Sequence, residues 1–171
     1  VTRIEEMYAL HPGLNLTYET LDGIIKHNGP LKALNNFIKK EKKYLEKFNI
    51  KNHPSVEAQV AAISDDIAYN SHDLGDGLRA SFFTLNDIKT LPIVGEAYEI
   101  VEKKYKLANY KIKCHEILRY FLNKLVNELI FESSRRLHFF KNKKIDDIQN
   151  HKCSIVSFND KIKSEIEIVS K

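Results

Sequence analysis

Residues 54–79, with the sequence PSVEAQVAAISDDIAYNSHDLGDGLR, decide the fold of this chain. Aliphatic residues recur through this stretch at helical spacing, namely Val56, Val60, Ile63, Ile67, Leu74 and Leu78. At about 100° per residue they fall within about 60° of one another on a helical wheel. We therefore predict one long helix that begins at Pro54 and turns this aliphatic side into the core.

A column of polar residues lies roughly opposite that aliphatic side. Asp65, Tyr69 and Asp73 are spaced i, i+4, i+8, so they follow one another along the helix in steps of about 6 Å. Two interpretations are open at this point. The column is either an ordinary solvated face or one wall of a functional site.

The surroundings of the column favour a functional site. The chain has 27 Lys and Arg in 171 residues, yet positions 52–78 contain neither and hold four Asp instead. The flanking positions are Ala58, Ala61 and Ala62, which are small enough to let another group approach closely. Clustered carboxylates without local cations are costly unless a cation from elsewhere, such as a metal ion, compensates them.

Composition limits the remaining possibilities. With 171 residues, 43% of them hydrophobic and 29% charged, the chain is long enough for one globular domain with a real core. A net charge of +4 alone does not predict a nucleic-acid partner, because the basic residues are spread over several helices. Two isolated cysteines, no signal peptide and no membrane span predict a soluble, cytoplasmic protein.

Helical patterns account for most of the rest of the chain. The predicted helices cover residues 1–10, 17–27, 31–48, 84–91, 93–106, 111–140, 145–149 and a last segment after Asn159. Thr17 is a predicted N-cap, and Thr84 with Asp87 forms a predicted capping box. Residues 153–158 are predicted as an extended linker that pairs as a strand or remains unpaired. The fold class is all-α, with residues 1–171 as a single domain.

The central stretch resembles the deoxyguanosinetriphosphate triphosphohydrolase-like branch of the HD-domain superfamily. The resemblance continues upstream through LNLTYETLDGIIKHNGP at residues 14–30 and downstream through GLRASFFTLNDI at residues 77–88. It extends more loosely to residues 115–137. The implied fold is a multi-helix HD-domain-like bundle, of which this chain is the central to C-terminal part.

The resemblance implies roles for several residues. The family holds a metal with a His, a His-Asp doublet and a last, distant Asp, which matches Asp65. Tyr69 matches a catalytic residue near the triphosphate or sugar, and Asp73 matches a residue that contacts the deoxyribose 3′-hydroxyl. His72 and His27 are further candidates for substrate binding. For His72 packing is an equal alternative, and for His27 the alternative is a favourable position at a helix C-terminus.

The resemblance also implies that ligands are missing. His72-Asp73 is followed by Leu-Gly, as the metal-binding doublet often is, but its neighbours belong to the downstream signature. The expected upstream His and His-Asp ligands are therefore absent, and one carboxylate does not make a metal site. The implied cofactor is a divalent metal such as Mg²⁺ or Mn²⁺ in the intact protein, with none in this chain as an alternative.

The implied activity is hydrolysis of a deoxynucleoside triphosphate to the deoxynucleoside and tripolyphosphate, with this chain inactive alone. The alternative is a catalytically dead remnant of a split gene or a helical interaction module. Expected partners are deoxynucleoside triphosphates, further copies of the intact protein, and a separately encoded N-terminal half. A membrane is not expected. Arg135 and Arg136 are interpreted as surface residues, with contact to phosphate or another subunit as the alternative.

Overall fold

The computed structural model describes residues 2, 4–31 and 42–170 of the chain. The helices in these residues are α1 (Tyr18–Ile25), α2 (Lys42–Leu45), α3 (Val56–Arg79), α4 (Leu85–Ile88), α5 (Val94–Lys104), α6 (Tyr110–His138), α7 (Ile145–Gln149) and α8 (Asp160–Val169). No strand occurs in the described residues, so the predicted all-α class is confirmed. None of these helices is both long enough and apolar enough to cross a membrane.

Two local predictions differ from the structure, and a third falls largely outside the described residues. The described residues among 1–10 contain no helix, so the helix predicted there is wrong. The helix predicted over 31–48 falls largely on residues 32–41, which lie outside the described residues. The central helix begins at Val56 rather than at Pro54, because Ser55 Oγ accepts a hydrogen bond from the Ala58 N–H at 3.2 Å and caps the first turn.

The predicted caps are confirmed. The Thr17 side chain accepts from the Thr20 N–H at the start of α1, and Asn159 accepts from the Ile162 N–H at the start of α8. The Thr84 backbone N–H and hydroxyl both donate to the Asp87 carboxylate at 2.7 Å. These two bonds lower the pKa of Asp87, since they stabilise its charged form.

The chain forms two compact units, and the boundary falls within α3. The first unit comprises residues 1–62 and 140–155. Its buried side chains include Leu45, Phe48 and Ile155 together with the ion pair between Lys26 Nζ and Asp22 Oδ1, which lie 2.7 Å apart. The prediction of a single domain over residues 1–171 stays a prediction.

A buried glutamine organises the first unit. Gln59 Oε1 accepts from Ser154 Oγ at 2.7 Å and from the Ile155 N–H at 2.9 Å, while its amide donates to the Pro54 carbonyl at 3.0 Å. Residues 154 and 155 therefore attach to α3 through the Gln59 side chain, and residues 153–158 contain no strand. Val60, which the periodicity assigns to the core, is exposed.

The second unit comprises residues 63–139 and 156–171. Helix α5 packs on α6, and the side chains at their contact are almost completely buried: Val94, Ala97, Val101, Ile117, Phe121 and Leu125. From α3, Ile67, Leu74 and Leu78 join this core, as the wheel predicts. Gly75 has no Cβ, which leaves room for the Leu118 side chain of α6.

A buried carboxylate joins the end of α6 to the segment before α8. Glu132 accepts from Arg135 and Arg136 with N–O distances of 2.7–2.8 Å, and Arg136 also donates to the Phe158 carbonyl at 3.1 Å. The hydrogen bonds from Arg135, followed by those from Arg136, hold the pKa of Glu132 at about 2. Arg135 and Arg136 are thus ion-pair partners of Glu132, and Arg136 is largely buried.

The close approach of α1 to α3 gives a first prediction. A Cβ added at Gly23 would lie 2.8 Å from the Ala58 Cβ, so Gly23→Ala should lower the free energy of unfolding by roughly 1–2 kcal/mol despite a better helix propensity. In an Ala58→Gly background the clash is removed, and the same change should be neutral or stabilising. Urea unfolding of the four proteins of this double-mutant cycle measures the difference. Equal losses in both backgrounds would contradict the close contact.

The Glu132 cluster gives a second prediction. The folded-state pKa of about 2 lies below the ordinary value of 4.5, so the stabilisation is complete above about pH 4.5 and is lost as the pH falls through about 2. Glu132→Gln should therefore lower the free energy of unfolding by roughly 2 kcal/mol at pH 7, and by clearly less at pH 3. Glu128→Gln, which removes the α6 ion pair with Lys124, is the control and should change little. A pH-independent deficit in Glu132→Gln would count against the cluster.

Candidate functional site

The polar column of α3 forms an exposed row in the structure. Asp65, Tyr69 and Asp73 all lie on the solvent side of the helix, and the Tyr69 side chain is 69% exposed. The buried positions Ile67 and Leu74 fix this orientation, because they hold the opposite side of the helix in the core. The three side chains of the column are therefore on the side of α3 that faces away from the core.

Helix α3 is continuous through this row, which spans about two of its turns. Asn70 Nδ2 donates to the Asp66 carbonyl and Ser71 Oγ donates to the Ile67 carbonyl, both at 2.8 Å, so these side chains bond to their own helix. Near the end of the helix, Arg79 pairs with Asp76 at 2.8 Å. No interruption of the helix separates Asp65 from Asp73, and the i, i+4, i+8 alignment is maintained.

His72 is exposed and precedes Asp73 on the same helix. The residues present do not by themselves fit a metal ion, because the described residues contain no group of three or more His, Cys, Asp or Glu side chains that could hold one. Asp65 is therefore a single carboxylate of the type that a divalent metal accepts, without the other ligands such an ion needs. The assignment of Asp65 as a metal ligand stays a prediction.

His27 belongs to the other compact unit, where it follows the end of α1 and lines a cavity of about 920 Å³. The structure thus brings Asp65, Tyr69, His72 and Asp73 together on one helix and places His27 in a separate unit. We call the cavity the α1–α3–α7 groove. Its lining comes from those three helices and the residues beside them: Tyr18, Glu19, Thr20, Gly23, Ile24, His27, Ser55, Val56, Glu57, Ala58, Ala61, Ile145, Ile148 and Gln149.

Helix α7 is held in place beside the groove by two contacts. The Gln149 carbonyl accepts from the His53 N–H at 2.9 Å, and Asn150 Oδ1 accepts from Asn52 Nδ2 at 2.6 Å. The loop before α3 thereby fixes α7 next to the first turns of α3. This contact joins residues almost 100 positions apart, so the helical periodicities used to interpret the sequence do not reveal it.

The groove is mainly apolar, with carboxylates as its charged groups. Ile24, Ile145 and Ile148 supply aliphatic surface, while Glu19 and Glu57 are exposed at its edge. No Lys or Arg occurs among the described residues that line it. Since a polyphosphate requires cationic partners, the groove by itself is unsuited to a triphosphate. Ala58 and Ala61, predicted to allow a close approach, line this groove.

The comparisons with known proteins concern almost the entire chain. No protein-family model matches it. A deoxyguanosinetriphosphate triphosphohydrolase-like protein of Roseobacter denitrificans is 38% identical over 169 residues, 99% of this chain. Proteins with the same name from a Ruegeria species and from Brucella suis are 40% and 37% identical over 97% and 100% of it.

The matched stretch is a minor part of each relative. The chain covers 44% of the length of each of these three proteins, and it therefore spans less than half of the relatives it matches. The matched stretch covers 97–100% of this chain, so the similarity is not confined to the residues around Asp65. Over almost its whole length the chain is therefore similar to deoxyguanosinetriphosphate triphosphohydrolase-like proteins, in a stretch that makes up less than half of each of them.

Proposed function

We propose that this chain carries the substrate-contacting wall of a metal-dependent deoxynucleoside triphosphate triphosphohydrolase of the HD-domain type. The reaction is hydrolysis of a deoxynucleoside triphosphate to the deoxynucleoside and tripolyphosphate. The observation that carries this proposal is an exposed Asp65–Tyr69–Asp73 row in a chain that is 36–40% identical to proteins of that name. The sequence around the row, positions 52–78, contains no Lys or Arg, which suits a surface that a cation from another part of the sequence or a metal ion completes.

Each residue of the row has a distinct proposed role. Tyr69 donates its hydroxyl hydrogen bond to a phosphate or sugar oxygen and steadies the substrate without itself carrying charge. Asp73 accepts a hydrogen bond from the deoxyribose 3′-hydroxyl, and its charge strengthens that bond. His72 lies next to Asp73 and is a further substrate contact.

The metal site is proposed to be completed outside this chain. Asp65 contributes one carboxylate, and the remaining His and Asp ligands come from a part that the relatives possess beyond the matched stretch. His27 stays a candidate for substrate binding in its own unit. The divalent ion, further copies of the intact protein and a separately encoded N-terminal half belong to this proposal as partners.

A second candidate function is a helical interaction module or inactive remnant without hydrolytic activity. The observation that favours it is that the described residues contain no group of three or more His, Cys, Asp or Glu side chains that could hold a metal ion. The two candidates differ in one measurable respect. Only the first requires Asp65, Tyr69 and Asp73 to affect turnover once the remainder of the protein is supplied.

Complementation tests the proposed function. The 171-residue chain alone should release little or no tripolyphosphate from dGTP, because one carboxylate does not hold a divalent ion. Co-expression with the part of the Ruegeria relative outside the matched stretch should give metal-dependent release. Tripolyphosphate and deoxyguanosine are measured by ion chromatography with and without a chelator. The proposal would be contradicted if the chain alone released tripolyphosphate from dGTP, or if the co-expressed pair released none.

Three substitutions in the co-expressed pair test the roles. Asp65→Ala should remove bound metal and turnover together, and Tyr69→Phe should reduce turnover by roughly tenfold or more, since one hydrogen bond to a charged group is lost. Asp73→Asn should keep the metal bound. It should reduce the preference for a substrate that has the 3′-hydroxyl over one that lacks it, because an amide bonds the hydroxyl less strongly than a carboxylate does. Metal content and kcat/KM are the measurements.

Asp76→Asn is the matched control for these substitutions. Asp76 is an exposed carboxylate of the same helix that pairs with Arg79, so its loss should leave turnover unchanged. All four variants change exposed side chains and should keep the free energy of unfolding within about 0.5 kcal/mol of the parent. Ile67→Ala, at a buried position of α3, should cost roughly 2–4 kcal/mol and calibrates that measurement. Parental turnover in all three site variants would favour the interaction module.

A further inference from the structure

Large apolar side chains are exposed together around the α1–α3–α7 groove. Tyr18 is 51% exposed, Ile24 49% and Ile145 72%, and all three line the same cavity of about 920 Å³. Single exposed apolar side chains are common on proteins, but a group gathered on one concave surface is typical of an interaction site. This groove is therefore the strongest unassigned binding feature of the first unit.

Small residues give the groove a shallow, closely packed floor. Gly23 and Ala58 approach so closely that a Cβ on Gly23 would lie 2.8 Å from the Ala58 Cβ, and Ala61 lines the cavity one turn further along α3. A floor of Gly and Ala lets the backbone of an incoming helix come near, while Ile24 and Ile145 contact its side chains. An amphipathic helix lies in such a groove through residues at i, i+3, i+4 and i+7.

The charged residues of the groove indicate which charge its occupant carries. Glu19 and Glu57 are exposed at its edge, and its described lining contains no Lys or Arg although the chain as a whole has a net charge of +4. The occupant that matches is a helix with an apolar row flanked by Lys or Arg. A second copy of this chain matches poorly, since an isologous contact would bring the same carboxylates against each other.

The relatives supply a candidate for this helix. More than half of the length of the relatives from Roseobacter, Ruegeria and Brucella lies outside the stretch that this chain matches. We infer that the α1–α3–α7 groove is the docking site for a basic amphipathic helix from that remaining part of the family polypeptide. The inference rests on the proposed function for the identity of the occupant, and it concerns residues other than the Asp65–Tyr69–Asp73 row.

Binding between the full chain and the remaining part of the Ruegeria relative tests the inference. The two are co-expressed with a tag on the relative's part, and stoichiometry and dissociation are measured by analytical ultracentrifugation. Ile24→Asp should weaken the complex at least tenfold, because it places a carboxylate where an apolar side chain docks. Ile130→Asp, at a 59% exposed isoleucine of α6 outside the groove, is the matched control and should change affinity less than twofold.

Reversing the charge of Glu57 tests whether the acidic edge of the groove contacts Lys or Arg of the docked helix. Glu57→Lys should weaken the complex about fivefold and reduce its salt dependence, since an attractive contact becomes repulsive. The control is Glu167→Lys at an exposed glutamate of α8, which should have little effect. Circular dichroism and thermal unfolding verify that every variant is folded. If Ile24→Asp unfolds, Ile145→Ser replaces it, because Ile145 is the most exposed of the three large apolar residues.

The outcomes separate this inference from the proposed function. A complex that depends on Ile24 and Glu57 but hydrolyses no dGTP supports the docking site and removes the proposed activity. A hydrolytic complex that tolerates Ile24→Asp and Glu57→Lys overturns the docking site and leaves the activity intact. Absence of a complex overturns the docking site, as does a homodimer of the 171-residue chain that Ile24→Asp dissociates.

Discussion

Burial of one side of α3 is the constraint on which the rest of the structure depends. In the second unit Ile67, Leu74 and Leu78 hold this side in the core, and in the first unit Gln59 is buried and bonds residues 154 and 155. A helix fixed on one side has no freedom to rotate its opposite side away from solvent. The exposure of the Asp65–Tyr69–Asp73 row is therefore a consequence of core packing and needs no separate stabilisation.

Local patterns predicted most of the helices because helix formation depends on residues three or four positions apart. Positions 67, 74 and 78, the Thr17 cap and the Thr84–Asp87 capping box were all predicted correctly for that reason. Val60 was assigned to the core and is exposed, whereas its neighbour Gln59 is buried. The reason is non-local, since Gln59 satisfies polar groups of a segment 95 residues away, which a periodicity calculation cannot detect.

The candidate sites also differ in whether local sequence patterns predict them. The polar row was predictable because its three residues share one helix and one spacing. The α1–α3–α7 groove was not, because it combines residues 18–27, 55–61 and 145–149. The Glu132 cluster was only partly predictable from the sequence. Its partners Arg135 and Arg136 stand at i+3 and i+4, a spacing that predicts ion pairs on a helix, but the sequence does not indicate that the carboxylate is buried.

Electrostatics limits the partners that are compatible with the proposed function. The proposed substrate, a deoxynucleoside triphosphate, carries several negative charges, while positions 52–78 hold four Asp and no Lys or Arg. Contact between the row and the substrate is favourable only if cations from outside this stretch offset both sets of negative charge. The same holds for the groove with Glu19 and Glu57. Under the proposed function and the inferred docking site, a partner that supplies metal ligands at the row and Lys or Arg at the groove would offset the negative charge of both surfaces, which a neutral or acidic partner would not do.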